Sequence, residues 1–234
     1  MKFSVIVPFH NAANTLKECL EALNNLAFTD WELILVNNNS TDSSETIVKD
    51  FLVSKRFKMP IKYFEETKIG ASAARNRGAQ EADGEWLVFT DADCLPDTNW
   101  LSELDEATKK HSNISAFAGS IVSIPGKTII GKCLSLFTLP SNEMEKSHDK
   151  YTFLEGGFPT ANFAVRKDIF MKIGGFDESI KIFGEDHLLC MNIYNQGGKI
   201  YQLKNAIVKH SHRSTFKGLL KQSMGFGFSH TILM

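Results

Sequence analysis

The first 95 residues alternate between short apolar runs and longer polar or amphipathic stretches. The apolar runs predict four buried strands, at 3–7, 32–36, 61–64 and 86–90. The stretches between them predict helices at about 14–26, 41–52 and 72–81, and the first carries Leu16, Leu20 and Leu23 on one face. Because strands alternate with helices, the sequence predicts an α/β fold with a parallel sheet.

The second half of the chain is less regular. Residues 115–160 hold apolar pieces broken by glycine and proline, which predict one or two strands among long loops. We expect helices at 167–173 and 185–195, each closed by a glycine pair, and strands at 199–203 and 206–209. Residues from 215 onward are helix-like but interrupted by glycine.

Composition narrows the class of protein. The 234 residues are 43% hydrophobic, enough for one α/β domain or a domain with a small appendage. The formal net charge is −1, so no basic field indicates nucleic acid as a partner. The four cysteines are widely spaced without a CxxC pair, which argues against a disulfide framework or a thiolate zinc site. No apolar stretch approaches the ~20 residues of a membrane span, and residues 1–8 are not a signal peptide, so we expect a cytoplasmic domain that can lie against a membrane.

Polar loops follow three of the predicted strands. They are PFHN at 8–11, NNNS at 37–40 and DAD at 91–93. In an open α/β sheet, ligands bind outside the carboxyl ends of the strands. We therefore expect these three loops to line one rim of the sheet.

Asp91 and Asp93 are the sharpest candidates for chemistry. They lie two residues apart after a buried strand, and strand alternation would direct both side chains to one face. Two such carboxylates repel each other unless a cation joins them, and oxygen ligands suit a Mg²⁺ or Mn²⁺ ion that bridges to phosphate. The alternative is a solvated acidic turn.

Two further pairs of polar residues are candidates. Glu185 and Asp186 begin a predicted helix, whose dipole stabilises an anion there, and simple capping is the alternative. His210 and His212 follow a predicted strand on one side of it. Either could complete a metal site begun by Asp93, and the alternative is an ordinary polar surface.

Arg75 and Arg77 lie on the predicted third helix. At this spacing they do not share a face, so one can reach a phosphate or nucleotide while the other is solvated. The sequence has no Walker A motif and no Gly-x-Gly-x-x-Gly after the first strand. These absences argue against a P-loop NTPase and a dinucleotide dehydrogenase.

Taken in order, these residues resemble the family 2 glycosyltransferases, which have the GT-A fold. The resemblance covers about residues 3–213 and rests on SVIVPFHN at 4–11, LILVNNNSTD at 33–42, GASAARNRG at 70–78, FTDAD at 89–93, GGFDE at 174–178 and GED at 184–186. It implies a single Rossmann-like nucleotide-binding domain, with a mostly parallel central sheet and helices on both faces. The nucleotide-binding half would be 1–95, the acceptor and catalytic half 96–213, and a helical tail 214–234.

The resemblance implies a nucleotide-sugar donor. Its contacts would come from Pro8, Phe9, His10, Asn11, Asn38, Arg75, Asp91, Ala92 and Asn162. Many family members carry aspartate where this chain has Asn37 and Asn38, and an amide oxygen accepts a hydrogen bond from a base without charge assistance. UDP is the expected nucleotide, with GDP or dTDP as alternatives.

The resemblance also implies a divalent metal. Asp93 would ligate a Mn²⁺ or Mg²⁺ ion on the diphosphate, with Asp91 and either His210 or His212 as further ligands.

The implied reaction is inverting transfer to a hydroxyl group. Asp186 would be the general base, and Glu185 beside it would orient the acceptor. The acceptor would be a saccharide or lipid-linked saccharide, in cell-surface polysaccharide synthesis at the inner face of the membrane. Residues 214–234 mix basic and apolar residues, which indicates an interfacial helix, and the alternatives are a helix that packs on the domain or the stump of a longer chain. The alternatives are a sugar-nucleotide nucleotidyltransferase and a non-catalytic module that binds nucleotide sugars.

Overall fold

The computed structural model describes residues 1–54, 57–124, 144–152, 157–180 and 184–211. Within these ranges nine strands form one sheet: β1 Phe3–Phe9, β2 Trp31–Asn37, β3 Ile61–Glu65, β4 Trp86–Phe89, β5 Cys94–Pro96, β6 Ala116–Ile124, β7 Lys146–His148, β8 Phe163–Arg166 and β9 Ile200–Ser211. The helices are α1 Leu16–Asn24, α2 Ser44–Val53, α3 Ala71–Gln80, α4 Trp100–Lys110, α5 Lys167–Lys172 and α6 Glu185–Asn195, with a 3-10 turn at Thr160–Asn162. None of these helices has the length and apolar character of a membrane span.

The sheet is parallel in its first half and mixed in its second. Its order is β3-β2-β1-β4-β8-β6-β9-β5, with β7 beside β9. Strands β1 to β4 pair in parallel through helical crossovers, as the alternating pattern predicts. Strand β8 then runs antiparallel to both β4 and β6, whereas β6 and β9 pair in parallel. The antiparallel pairings are therefore confined to the second half of the sheet.

The sheet has an apolar core on each face, which explains why the central strands are apolar at most positions, with Ser4 and Glu32 as buried polar exceptions. On β1, Val5 and Val7 point into a cluster that includes Leu16 and Trp100, whereas Ile6 points into the cluster on the opposite face. Every residue of β1 and β2 is buried. Strands covered on both faces lose the alternation of polar and apolar positions and become continuous apolar runs.

Three elements are absent from the sequence analysis. These are α4, β5 and β8. The buried face of α4 carries Trp100, Leu101 and Leu104 at helical spacing, so the pattern for it was present in the sequence. Conversely, the strands expected at 199–203 and 206–209 are one strand, β9, whose pairing with β6 shifts register between Ala118 and Ser120.

The side chain of Asn162, a candidate donor contact, is held inside the domain. The residue is 2% exposed. Its amide nitrogen donates to the carbonyl oxygens of Ser120 and Ala206, both at 2.8 Å, and its amide oxygen accepts from the indole N–H of Trp100 at 2.8 Å. The amide therefore ties α4, β6 and β9 together inside the domain, because buried polar groups there need partners.

We expect Asn162→Ala to lower the free energy of unfolding by about 3 kcal/mol or more, because three buried polar groups lose their partner at once. Urea denaturation of the purified protein measures this, with Asn195→Ala as the matched control at an exposed position of α6. A loss no larger for Asn162→Ala than for Asn195→Ala would contradict the structural role.

Candidate active site

The loops after β1 and β2 are joined into one rim, as the sequence predicts. The side-chain oxygen of Asn11, a residue with φ of 50°, accepts from the backbone N–H groups of Thr41 at 2.7 Å and Asp42 at 3.2 Å. The N–H of Asn38 donates to the carbonyl oxygen of Phe9 at 2.8 Å. The carboxyl ends of the two strands are therefore fixed relative to each other.

Only part of the segment from Pro8 to Asn11 presents side chains to this rim. Pro8 and Phe9 are buried, so a ligand at the rim would meet their backbone, whereas His10 and Asn11 are exposed. Nδ1 of His10 lies 2.6 Å from the carbonyl oxygen of Asn38, and Nε2 lies 3.1 Å from the amide nitrogen of Asn11. These two contacts are both satisfied when Nδ1 carries the proton.

The side chain of Asn38, a candidate donor contact, bonds to the framework of the domain. It is 6% exposed, and its amide nitrogen donates to the carbonyl oxygens of Glu66 at 2.9 Å and Lys68 at 2.8 Å. Its amide oxygen accepts from the N–H of Gly70 at 2.9 Å. The amide holds the loop between β3 and α3 instead.

Arg75 is the centre of the candidate site. Its guanidinium donates to Oδ1 of Asp91 at 2.9 Å and to Oε1 of Glu185 at 3.1 Å, and it lies 5.6 Å from the ring centroid of Phe176. Arg77 points outward instead, where it pairs with Glu81 at 3.0 Å. Arg75 therefore points inward and Arg77 outward, as the sequence predicts for one arginine of the pair and the other.

The charges around Arg75 support one another although they are buried. Its side chain is 6% exposed. Burial opposes the positive charge, but the carboxylates of Asp91 and Glu185 raise the pKa of the guanidinium above its usual value. Burial raises the pKa of the Glu185 carboxyl group, and the positive charge of Arg75 partly offsets that rise.

Glu185 and Asp186 are the first two residues of α6, after Gly184 with φ of 106°. The carboxylate of Glu185 is turned to Arg75, so the structure does not present it to an acceptor as the sequence analysis expects. Asp186 is half-buried, and its Oδ1 accepts from the backbone N–H of His187 at 2.8 Å.

Asp93 and His210 converge on a candidate metal position. Strand β5 pairs with β9, which places Nε2 of His210 3.5 Å from Oδ1 of Asp93. Side-chain ligand atoms of Asp93, Cys94 and His210 all lie within 4.8 Å of one another. Ala92 between the aspartates packs into the core, and Asp91 is engaged by Arg75. His212 and residues 214–234 lie outside the described residues.

The chemistry of the donor atoms fits a hard divalent cation. A carboxylate oxygen and an imidazole nitrogen both ligate Mn²⁺, and the partly exposed position leaves room for the oxygens of a substrate. Cys94 is fully buried, and burial raises the pKa of its thiol well above the usual value. Without a metal ion, the thiol of Cys94 is therefore neutral at this position.

Asn76 is a site residue that the sequence analysis misses. Its amide oxygen accepts from the backbone N–H of Phe176 at 2.9 Å, and its amide nitrogen donates to the carbonyl oxygen of Phe176 at 2.9 Å and to Glu178 at 2.8 Å. It therefore docks the GGFDE segment onto α3, beside Arg75. Its place next to the buried arginine in GASAARNRG is the only indication of this role in the sequence.

Tyr151 and His187 are a second missed pair, beside Asp186. The hydroxyl of Tyr151 lies 2.9 Å from Nδ1 of His187. A Cβ atom added to Gly157 would lie 2.2 Å from the same nitrogen, so the backbone approaches this ring as closely as only glycine permits. The pairing joins residues 36 positions apart, which no local pattern in the sequence indicates.

Curated relatives of this chain are glycosyltransferases. It is 30% identical over 220 residues to the probable glycosyltransferase YdaM of Bacillus subtilis, covering 92% of this chain and 52% of the relative. It is 27% identical over 201 residues to the GalNAc(5)-diNAcBac-PP-undecaprenol beta-1,3-glucosyltransferase of Campylobacter jejuni, covering 83% and 60%. The chain thus spans just over half the length of these relatives.

Solved glycosyltransferases share the fold. The mannosyltransferase PcManGT of Pyrobaculum calidifontis, in complex with GDP-Man and Mn²⁺, superposes with a TM-score of 0.74 at 20% identity, covering 100% of this chain and 64% of that one. S. aureus TarS in complex with UDP-GlcNAc gives 0.70 at 21% identity, covering 94% and 61%.

The sequence itself matches a family model. The model described as glycosyl transferase family 2 matches residues 4–174, which include the loops of the rim, Arg75 and both aspartates at 91 and 93. The chain therefore belongs to glycosyl transferase family 2 and has the GT-A fold.

Proposed function

We propose that the chain is an inverting, metal-dependent glycosyltransferase. It transfers a sugar from a nucleotide-diphosphate sugar, with UDP as the expected nucleotide, to a hydroxyl of a saccharide or lipid-linked saccharide. The observation that carries this proposal is the bridge from Arg75 to Asp91 and Glu185. It brings the rim after β4 and the first turn of α6 into one site, as a transfer between two substrates requires.

The donor side of the proposal rests on Asp93 and His210. These residues would hold a Mn²⁺ or Mg²⁺ ion, whose chemistry there is to neutralise charge on the leaving diphosphate. Arg75 holds Asp91 at the same rim, and its positive charge is shared between the carboxylates of Asp91 and Glu185. The complexes of neighbours with GDP-Man and Mn²⁺, and with UDP-GlcNAc, support a nucleotide-sugar donor.

The acceptor side rests on Asp186. Its carboxylate would take the proton of the acceptor hydroxyl, which then attacks the anomeric carbon on the face opposite the diphosphate. Attack from that face inverts the configuration of the sugar. Glu185 is locked to Arg75 and would set the position of its neighbour without touching the substrate.

A saccharide acceptor at the membrane is supported by the names of relatives. One is named for minor teichoic acid biosynthesis, and another for the glucosylation of a saccharide linked to undecaprenol through a diphosphate. We accordingly propose a role in cell-surface polysaccharide synthesis, at the cytoplasmic face of the membrane.

We expect Asp93→Ala to abolish the effect of metal on nucleotide binding, because the carboxylate that would hold the ion is removed. Calorimetric titration of UDP with and without Mn²⁺ measures this, with the exposed Asp50→Ala on α2 as control. Equal UDP affinity with and without Mn²⁺ in the unmodified protein would refute the metal proposal. So would full metal dependence in Asp93→Ala.

We expect Asp186→Asn to slow transfer by about 10²–10⁴-fold, because the amide cannot accept the proton, while UDP affinity stays unchanged. Single-turnover rates with a radiolabelled nucleotide sugar measure the first effect and calorimetry the second, with Asp50→Asn as the matched control. A transfer rate in Asp186→Asn equal to that of the control would remove this residue from the role of base.

We expect Arg75→Lys to reduce kcat/KM by about tenfold or more, because an ammonium group cannot reproduce the fork that bonds two carboxylates. Unlike Asp186→Asn, it should also weaken UDP binding, since Asp91 loses its partner. Arg77→Lys, on the same helix but pointing outward, is the control and should behave like the unmodified protein. Identical kinetics for the two lysine variants would show that the bridge does not matter for transfer.

A further inference from the structure

Two neighbouring asparagines close the loop between β3 and α3. Besides the bonds of Asn38 to Glu66 and Lys68, the side-chain nitrogen of Asn39 donates to the carbonyl oxygens of Glu66 at 3.2 Å and Thr67 at 3.0 Å. Each amide therefore directs both of its hydrogens at main-chain carbonyl groups of residues 66–68. We call this set of bonds the amide clasp.

The clasp depends on the amide group and not merely on a polar side chain of this size. Both hydrogens of the Asn38 amide are used, and its oxygen accepts from the N–H of Gly70. An ionised aspartate of the same shape has acceptors only, so at position 38 it would set a carboxylate oxygen against two carbonyl oxygens. Asn39 has φ of 56°, a backbone conformation that asparagine and aspartate tolerate better than most residues.

The clasped loop leads directly into the helix that carries Arg75. Gly70 is the residue before α3, and its carbonyl oxygen accepts from the N–H of Ala74 at 3.2 Å in the first turn. Fixing Gly70 through Asn38 therefore fixes where α3 begins, and with it the guanidinium that holds Asp91.

We propose that Asn38 and Asn39 are positioning residues that hold the β3–α3 loop closed beside the donor nucleotide, and that Asn38 does not read the base. This inference rests on the proposed function only for the statement that a nucleotide binds at this rim. An aspartate at this position would lack the donors of the clasp. Donor affinity in this chain accordingly depends on loop closure, without an anionic acceptor for the base.

The test replaces each amide with a carboxylate. Asn38→Asp should speed amide hydrogen exchange at residues 67–70 in the absence of nucleotide, while β1 and β2 keep their protection. It should also weaken binding of UDP and of GDP by about tenfold or more each, with the ratio of the two affinities unchanged. Asn39→Asp, at an exposed position that cannot disrupt the core, should act in the same direction by a smaller factor. Asn25→Asp, at the exposed end of α1, is the control and should change nothing.

Two results would overturn the inference. One is Asn38→Asp binding UDP as tightly as the unmodified protein or more tightly. The other is an altered ratio of UDP to GDP affinity with loop protection intact, which would mean that position 38 reads the base. If the unmodified protein bound no nucleotide, the proposed function would fail, and the exchange measurement alone would still decide the clasp. If Asn38→Asp did not fold, the exchange and affinity of Asn39→Asp would decide it.

Discussion

The buried ion pairs of Arg75 organise the site, and the fold is arranged to permit them. A guanidinium removed from water carries a desolvation cost of several kcal/mol unless carboxylates and hydrogen bonds compensate it. Asp91 and Glu185 provide that compensation from two segments 94 residues apart along the chain. The helix that carries Arg75 can lie this close to the sheet because Gly78 faces β1, where a Cβ would come within 2.5 Å of a methyl group of Ile6. The close packing of α3 on the sheet and the ion pairs of Arg75 therefore form a single structural constraint.

Much of the first half of the fold could be predicted from the sequence, whereas in the second half the helices α5 and α6 could be predicted and the strands only in part. The apolar runs of β1, β2 and β4 are covered on both faces, and long helical periods separate them, so local pattern determines their type and order. Beyond β4 the strands are short or irregular. Strand β5 has three residues, and β8 reaches its place between β4 and β6 through pairings that no local pattern encodes. The helix α4 is an exception, because the helical spacing of its apolar residues is present in the sequence.

In the candidate site, too, some features could be predicted from the sequence and others could not. The resemblance assigned the aspartates, Arg75 and the acidic pair to one site, and the structure brings Asp91, Arg75 and Glu185 into contact. Sequence could not show which polar atoms are already occupied by the framework. Asn38 and Asn162 are residues of a type suited to binding a ligand. Their amide nitrogens instead donate to backbone carbonyl groups far away in sequence. The neighbourhood of Asp93 and His210 is likewise a product of strand pairing across the sheet.

We propose that one rim holds the diphosphate at Asp93 and His210 and faces Asp186 across the Arg75 bridge. A crystal structure with UDP and Mn²⁺ bound would test this arrangement. We expect the ion to be ligated by Asp93, His210 and phosphate oxygens, with the Asp186 carboxylate facing the space beyond the diphosphate. An ion bound elsewhere, or an Asp186 side chain turned away from the nucleotide, would contradict it.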